Sequence, residues 1–183
     1  MQTFTVIFAH GRESGPWGTK IRALAKVAEK LGCRVISRDD SDSRDPELRV
    51  ARLIDETKSI NTPVVLVGSS MGGYVVTTAS QVVRPSGLFL MAPAFGLPGY
   101  AVQVPKKPIC RELTLVHGWN DDIVPLEAVL DFARAHQAML HLVPAGHALL
   151  EQVDWLTRIF ELFLARCLQH DCHPARERLL ATI

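Results

Sequence analysis

A serine hydroxyl becomes a useful nucleophile when a tight backbone turn lifts it clear of its neighbours and a base takes its proton. The segment Val67-Gly68-Ser69-Ser70-Met71-Gly72-Gly73 has the residues for such a turn, a G-x-S-x-G pattern centred on Ser70. It sits where an apolar, strand-like run gives way to a helix-like stretch, which is the context the pattern needs. A serine on a sharp strand-to-helix turn holds a strained backbone, so the residues two before and two after must lack bulk. Gly68 and Gly72 meet that demand around Ser70. Ser69 does not, because residue 71 is methionine. The same turn would aim the backbone N–H of Met71 at a developing oxyanion.

Acyl transfer by such a serine needs a second oxyanion donor, a general base and a group to orient the base. The loop Phe8-Ala9-His10-Gly11-Arg12-Glu13-Ser14-Gly15-Pro16 offers the amide of Arg12 as that donor, with His10 read as a structural hydrogen-bonding residue. The Arg12 side chain reads as a surface arginine. The run Leu115-Val116-His117-Gly118-Trp119-Asn120-Asp121-Asp122-Ile123-Val124-Pro125 offers a carboxylate. Asp121 and Asp122 compete for that job, and one of them is free to cap the following helix. The base is His147, in Leu142-Val143-Pro144-Ala145-Gly146-His147-Ala148-Leu149. Of the seven histidines it alone combines a loop after a strand with a place downstream of a candidate acid. His136 and His141 fall in a helix-to-strand stretch and read as surface residues.

Positioning these groups requires elements that end at one edge, and the hydrophobic pattern supplies them. Short apolar runs at residues 3–9, 33–37, 63–68, 86–91, 113–117 and 139–143 read as strands. Between the first two, Ile21, Leu24, Val27, Ala28 and Leu31 recur at helical spacing, with Lys20, Arg22, Lys26 and Lys30 expected to face out. Further helices are expected near 46–60, 71–83, 125–137 and 149–168. The runs 62–67 and 86–91 show no polar alternation, so they should be central strands covered on both faces. The expected fold is α/β: a single domain over residues 1–168 with a mostly parallel six-stranded sheet and helices on both faces. Residues 169–183 form a charged tail or helical extension. Residues 39–46 read as a solvated turn ending at a helix cap, and residues 92–112 as a Pro- and Gly-rich connection where a lid would have little room.

Composition excludes several other functions. The chain has 183 residues, and its 20 basic side chains are nearly cancelled by 19 acidic ones, so bulk charge recruits neither nucleic acid nor an anionic membrane. No apolar stretch is long enough to span a bilayer, and no signal-peptide pattern opens the sequence. The expectation is a cytoplasmic protein whose four cysteines are reduced thiols. No heptad or apolar stripe demands a partner, so a monomer is expected. Cys167, His170, Cys172 and His173 raise the idea of zinc, yet four ligands within seven residues do not have the paired spacing of zinc sites.

The segments His10-Gly11, Gly68 to Gly73, His117 to Pro125 and Gly146-His147 together resemble the oxyanion loop, elbow, acid loop and histidine loop of the α/β-hydrolases. The order serine, acid, histidine is also that family's. The resemblance covers residues 3–165. In the family the acid usually stands four residues after the histidine of a His-Gly-x-x-Asp-x-x-Val-Pro run, which favours Asp121 over Asp122. The chain starts at what looks like the family's third strand and lacks a large insertion after the sixth, so it resembles the small lidless, esterase-like branch. The resemblance implies a minimal hydrolase fold and a serine hydrolase that acylates Ser70 and needs no metal or organic cofactor. Its substrate would be a small-molecule acyl ester or thioester, held by loops in which Trp17, Phe95, Leu97, Trp119 and Leu149 are candidate apolar walls. An amidase or peptidase with the same three residues, or a non-catalytic protein that keeps the fold for interaction, are the alternatives.

Overall fold

Val6 and Phe8 point to one side of the first strand and Ile7 and Ala9 to the other, and each pair is buried in a different core. That two-sided burial sets the architecture. In a computed structural model, which describes residues 4–103 and 105–171, six strands form one sheet in the order β2-β1-β3-β4-β5-β6. They are β1 (Thr5–Ala9), β2 (Arg34–Ser37), β3 (Val64–Ser69), β4 (Gly87–Met91), β5 (Glu112–Gly118) and β6 (Met139–Val143). Every neighbouring pair is parallel, with Ile7 opposite Leu66 and Leu66 opposite Leu88 in the centre. The expected strands are therefore present, and the sheet is wholly rather than mostly parallel.

Among the described residues five helices cover the sheet: α1 (Thr19–Lys30), α2 (Pro46–Thr57), α3 (Met71–Val83), α4 (Leu126–His136) and α5 (Val153–Asp171). Leu24 and Ala28 of α1 and Phe160 and Phe163 of α5 pack with Val6, Phe8 and Phe89 on one face. Leu53 of α2, Tyr74 and Val75 of α3 and Phe132 of α4 pack with Ile7, Leu66 and Leu90 on the other. α2 begins cleanly because Pro46 fixes the first helical φ and the Asp45 carboxylate accepts from the amides of Glu47 (2.9 Å) and Leu48 (3.3 Å).

Two details differ from expectation. Asp40 is buried rather than part of a solvated turn, because it accepts from Arg38 and Arg52 and its amide donates to His10 Nε2 at 3.1 Å. The last helix, expected from residue 149, starts only at Val153 after a short 3₁₀ turn over Leu150–Gln152, and it continues to Asp171. The remainder of the tail, with Cys172 and His173, lies outside the described residues. Cys167 is buried in the core beneath α5, and among the described residues no group of three or more potential ligands could hold a metal ion. Nor is any described helix long and apolar enough to cross a membrane.

The chain runs outward from β1 to β2, then returns to place β3 on the other side of β1. A parallel sheet opens a crevice at such a reversal, outside the carboxyl ends of its strands. The loops leaving Ala9 and Ser69 flank that crevice. Between β4 and β5, described residues 92–103 and 105–111 contain neither helix nor strand, so no cap is built over it.

Candidate functional site

The turn after β3 is made by close backbone crossing. A Cβ on Gly72 would overlap the Ala9 carbonyl and lie 2.8 Å from the His10 oxygen, and a Cβ on Gly68 would run into the Gly72 backbone. Without side chains there, α3 starts directly against the end of β1. Ser70 takes the strain, with φ 54° and ψ −120°. Its amide donates to Met91 O at 2.9 Å, and its carbonyl accepts from Gly73 (2.8 Å) and Ala94 (3.0 Å). A non-glycine residue in so unusual a conformation persists only when its surroundings over-determine it.

Three side chains from three strand ends meet at this turn. His147 Nε2 lies 2.9 Å from Ser70 Oγ, and His147 Nδ1 lies 2.8 Å from Asp121 Oδ2. Asp121 Oδ1 accepts from the amides of Ile123 and Val124, both at 2.9 Å, so its orientation is fixed by its own loop. Burial pushes the Asp121 carboxyl up, but the Val124 amide, His147 and the Ile123 amide outweigh it, and its pKa lies below the usual carboxylate range. With Oδ2 ionised, Nδ1 carries the proton and Nε2 presents its lone pair to the serine. Asp122 is exposed, and it does not cap α4, whose N-cap is Pro125 with no side-chain bond.

His117 lies behind the carboxylate, fully buried, with Nε2 3.6 Å from Asp121 Oδ2. Burial lowers its pKa against the opposing pull of Asp121.

The loop after β1 is braced from beneath. His10 is buried, with Nδ1 donating to the Gly11 carbonyl at 2.7 Å while Nε2 accepts from Asp40. The guanidinium of Arg49, on α2, is buried and donates to the carbonyls of His10 and Gly11 at 3.3 Å and of Ser43 at 2.8 Å. The Arg12 amide follows directly on the anchored Gly11 carbonyl, and Arg12 lines the cavity over Ser70. Among the described residues, neither the Arg12 amide nor the Met71 amide has a backbone acceptor. The Arg12 side chain is exposed and lies 3.6 Å from Glu13.

A cavity of about 720 Å³ opens over Ser70 and His147, bounded by the 11–15 loop, the start of α1, Leu97, Tyr100, Ile123 and Leu150. Of the five apolar walls expected, only Leu97 lines it. Phe95 and Leu149 are buried in the cores, and Trp17 and Trp119 stand exposed outside it. Lys20 was expected to face solvent with the other basic residues of α1. Instead it lines the cavity and donates from Nζ to Ser69 Oγ at 3.0 Å. His136 and His141 are half-buried rather than on the surface, stacked edge-on against Phe132 and Trp155.

A parallel sheet with a strained serine elbow after β3, a carboxylate after β5 and a histidine after β6 is the architecture of the α/β-hydrolases. The family model for the alpha/beta hydrolase family matches residues 6–182, and the chain belongs to that family. A solved structure assigned to the alpha/beta hydrolase superfamily, from Xanthomonas campestris pv. campestris, is 34% identical over 88% of this chain and 98% of its own, with a TM-score of 0.82. Est1E from Butyrivibrio proteoclasticus shares the fold at 17% identity, covering 92% of this chain and 89% of its own, with a TM-score of 0.75. So does an a/b serine hydrolase without lid from Xanthomonas campestris, at 21% identity, 90% and 82% coverage and a TM-score of 0.66. No curated protein sequence matches the chain significantly.

Proposed function

We propose that this protein is a serine hydrolase of the lidless, esterase-like kind, cleaving small acyl esters or thioesters through an acyl-enzyme on Ser70. The observation that carries this reading is the continuous hydrogen-bonded chain from Ser70 Oγ through His147 to Asp121. Ser70 Oγ attacks the substrate carbonyl carbon as its proton passes to His147 Nε2. The carbonyl oxygen, now an oxyanion, takes hydrogen bonds from the amides of Met71 and Arg12. Collapse breaks the bond to the alcohol or thiol, which leaves with the proton from His147. Water then attacks the acyl carbon, gives a proton to Nε2 and releases the acid, and the proton returns to Ser70. Asp121 stays ionised throughout and stabilises the imidazolium. The steps use only side chains, backbone amides and water.

The cavity volume falls in the range of small-molecule sites, in keeping with short to medium acyl groups. The proposal includes a monomer in a cytoplasmic setting, consistent with Cys33 and Cys110 held as thiols. A fluorophosphonate probe should label the parent and neither Ser70→Ala nor His147→Ala at an appreciable rate. Equal labelling of parent and Ser70→Ala would sink the assignment. Matched ester, thioester and amide substrates separate an esterase from an amidase, and turnover that climbs steadily with acyl length would remove the small-substrate part of the reading.

A further inference from the structure

Hydrolysis as just described leaves the ammonium of Lys20, on the cavity wall, without a role. Lys20 stands in the first turn of α1 and reaches Ser69, the residue immediately before Ser70. Arg12 and Glu13, also on the cavity wall, lie 3.6 Å apart, and Glu13 lies 3.0 Å from Arg44, so each of those two arginines has an acidic neighbour. Among the described residues, no carboxylate lies within ion-pair distance of Lys20. Asp121 acts on it only through its field, since Oδ1 is engaged by two amides and Oδ2 by His147.

An ammonium has three protons to donate, and the Ser69 hydroxyl takes one. Burying a cation without a counter-ion costs stability, and a neutral side chain could brace Ser69 without that cost. The cost shows in the ammonium itself, whose pKa burial pulls down to about 8 against the opposing effect of Asp121. Such a group in a cavity beside a nucleophile is suited to a ligand that supplies the missing negative charge. A carboxylate fits the requirement, since it can take the remaining ammonium protons with charge-assisted bonds.

We propose that Lys20 is a specificity residue that receives a carboxylate of the substrate, so that the favoured substrates are small esters or thioesters bearing a free carboxylate close to the scissile carbonyl. The spacing between the two groups must be short, because Ser69 adjoins Ser70 in the chain. This inference rests on the reading of Ser70 as the nucleophile.

The test compares kcat/KM for monoethyl glutarate with that for ethyl pentanoate, which match in chain length and differ in the carboxylate, at neutral pH. The parent should favour the glutarate ester by about tenfold or more, and Lys20→Met should reduce that ratio by at least about tenfold, the worth of one charged hydrogen bond. A parent without preference, or a ratio unchanged in Lys20→Met, overturns the inference. A second arm needs no variant: glutarate should slow fluorophosphonate labelling of the parent more than pentanamide does, and equal protection counts against the carboxylate site. A parent that fails to label at Ser70 refutes the serine reading itself, whereas a labelled parent with an unchanged ratio refutes only the role of Lys20.

Discussion

Replacing Asp121 by asparagine isolates what the carboxylate does, because the local bonds dictate how the amide must sit. The backbone amides of Ile123 and Val124 require an acceptor, so the asparagine oxygen turns toward them and its NH₂ takes the place of Oδ2. That NH₂ is a donor facing His147 Nδ1, which must then be bare, and the imidazole proton moves to Nε2. Nε2–H now points at Ser70 Oγ from 2.9 Å and cannot accept its proton. A wrong tautomer in otherwise intact geometry costs about 10⁴ in kcat. At 1.36 kcal/mol per decade that is about 5.4 kcal/mol of barrier. Folding loses about 1 kcal/mol, the difference between a charge-assisted hydrogen bond and the neutral one that replaces it, and the two backbone bonds survive. The measurement is kcat on ethyl pentanoate beside a thermal melt, with Asp122→Asn as the companion expected within about twofold of parent. An Asp121→Asn enzyme that keeps more than about a tenth of parental kcat would show that the aspartate does not set the tautomer.

Gly72→Ala forces a Cβ into the Ala9 carbonyl, a backbone atom that cannot rotate away, so destabilisation of about 3 kcal/mol and loss of fluorophosphonate labelling are expected; an unchanged melting temperature would contradict this crossing. Arg49→Met removes a donor from the carbonyls of His10, Gly11 and Ser43, of which Gly11 keeps His10 Nδ1, and at about 1–3 kcal/mol for each group left unsatisfied it should lower both the melting temperature and kcat. Loss of stability with kcat intact would separate Arg49 from oxyanion-loop positioning. Lys20→Met should melt higher than parent at neutral pH, because it removes a cation whose folded pKa of about 8 lies below its ordinary 10.5. Between those values the unfolded parent binds more protons, so parental stability rises with pH and the advantage of Lys20→Met should shrink. Asp121, His147, Arg12 and Glu13 share that surface and belong to both proteins; an advantage that does not change with pH would place the effect elsewhere.

That Ser70 and His147 would meet was legible because each stands out locally. Ser70 has glycines at both required offsets and His147 follows the last strand, whereas Asp121 and Asp122 were equal on residue type and only the resemblance to the family's His-Gly-x-x-Asp run favoured Asp121. Strands β3 and β4 were equally plain, since only a doubly covered strand is apolar throughout. Lys20 was misread for a physical reason. Helical spacing separates core from solvent, but the first turn of α1 overhangs the strand ends, where an outward direction opens into a cavity instead. Arg49 left no signal at all, because its side chain travels from a helix to carbonyls on a distant loop. Apolar loop residues failed as a guide to the cavity walls, because Phe95 and Leu149 turn into the cores while Trp17 and Trp119 turn to water.

The clamp on Ser70 ties reactivity to the integrity of the whole molecule. Its amide and carbonyl are held by the end of β4 and by α3, a helix buried along most of its length at the centre of the sheet. Releasing the strained turn by itself would break those bonds without gaining solvent for the segment. The elbow therefore has no cheap local opening of the kind that frayed ends and surface loops enjoy. Along a denaturant series, loss of Ser70 labelling should coincide with cooperative unfolding, making Ser70 an internal gauge of the folded population.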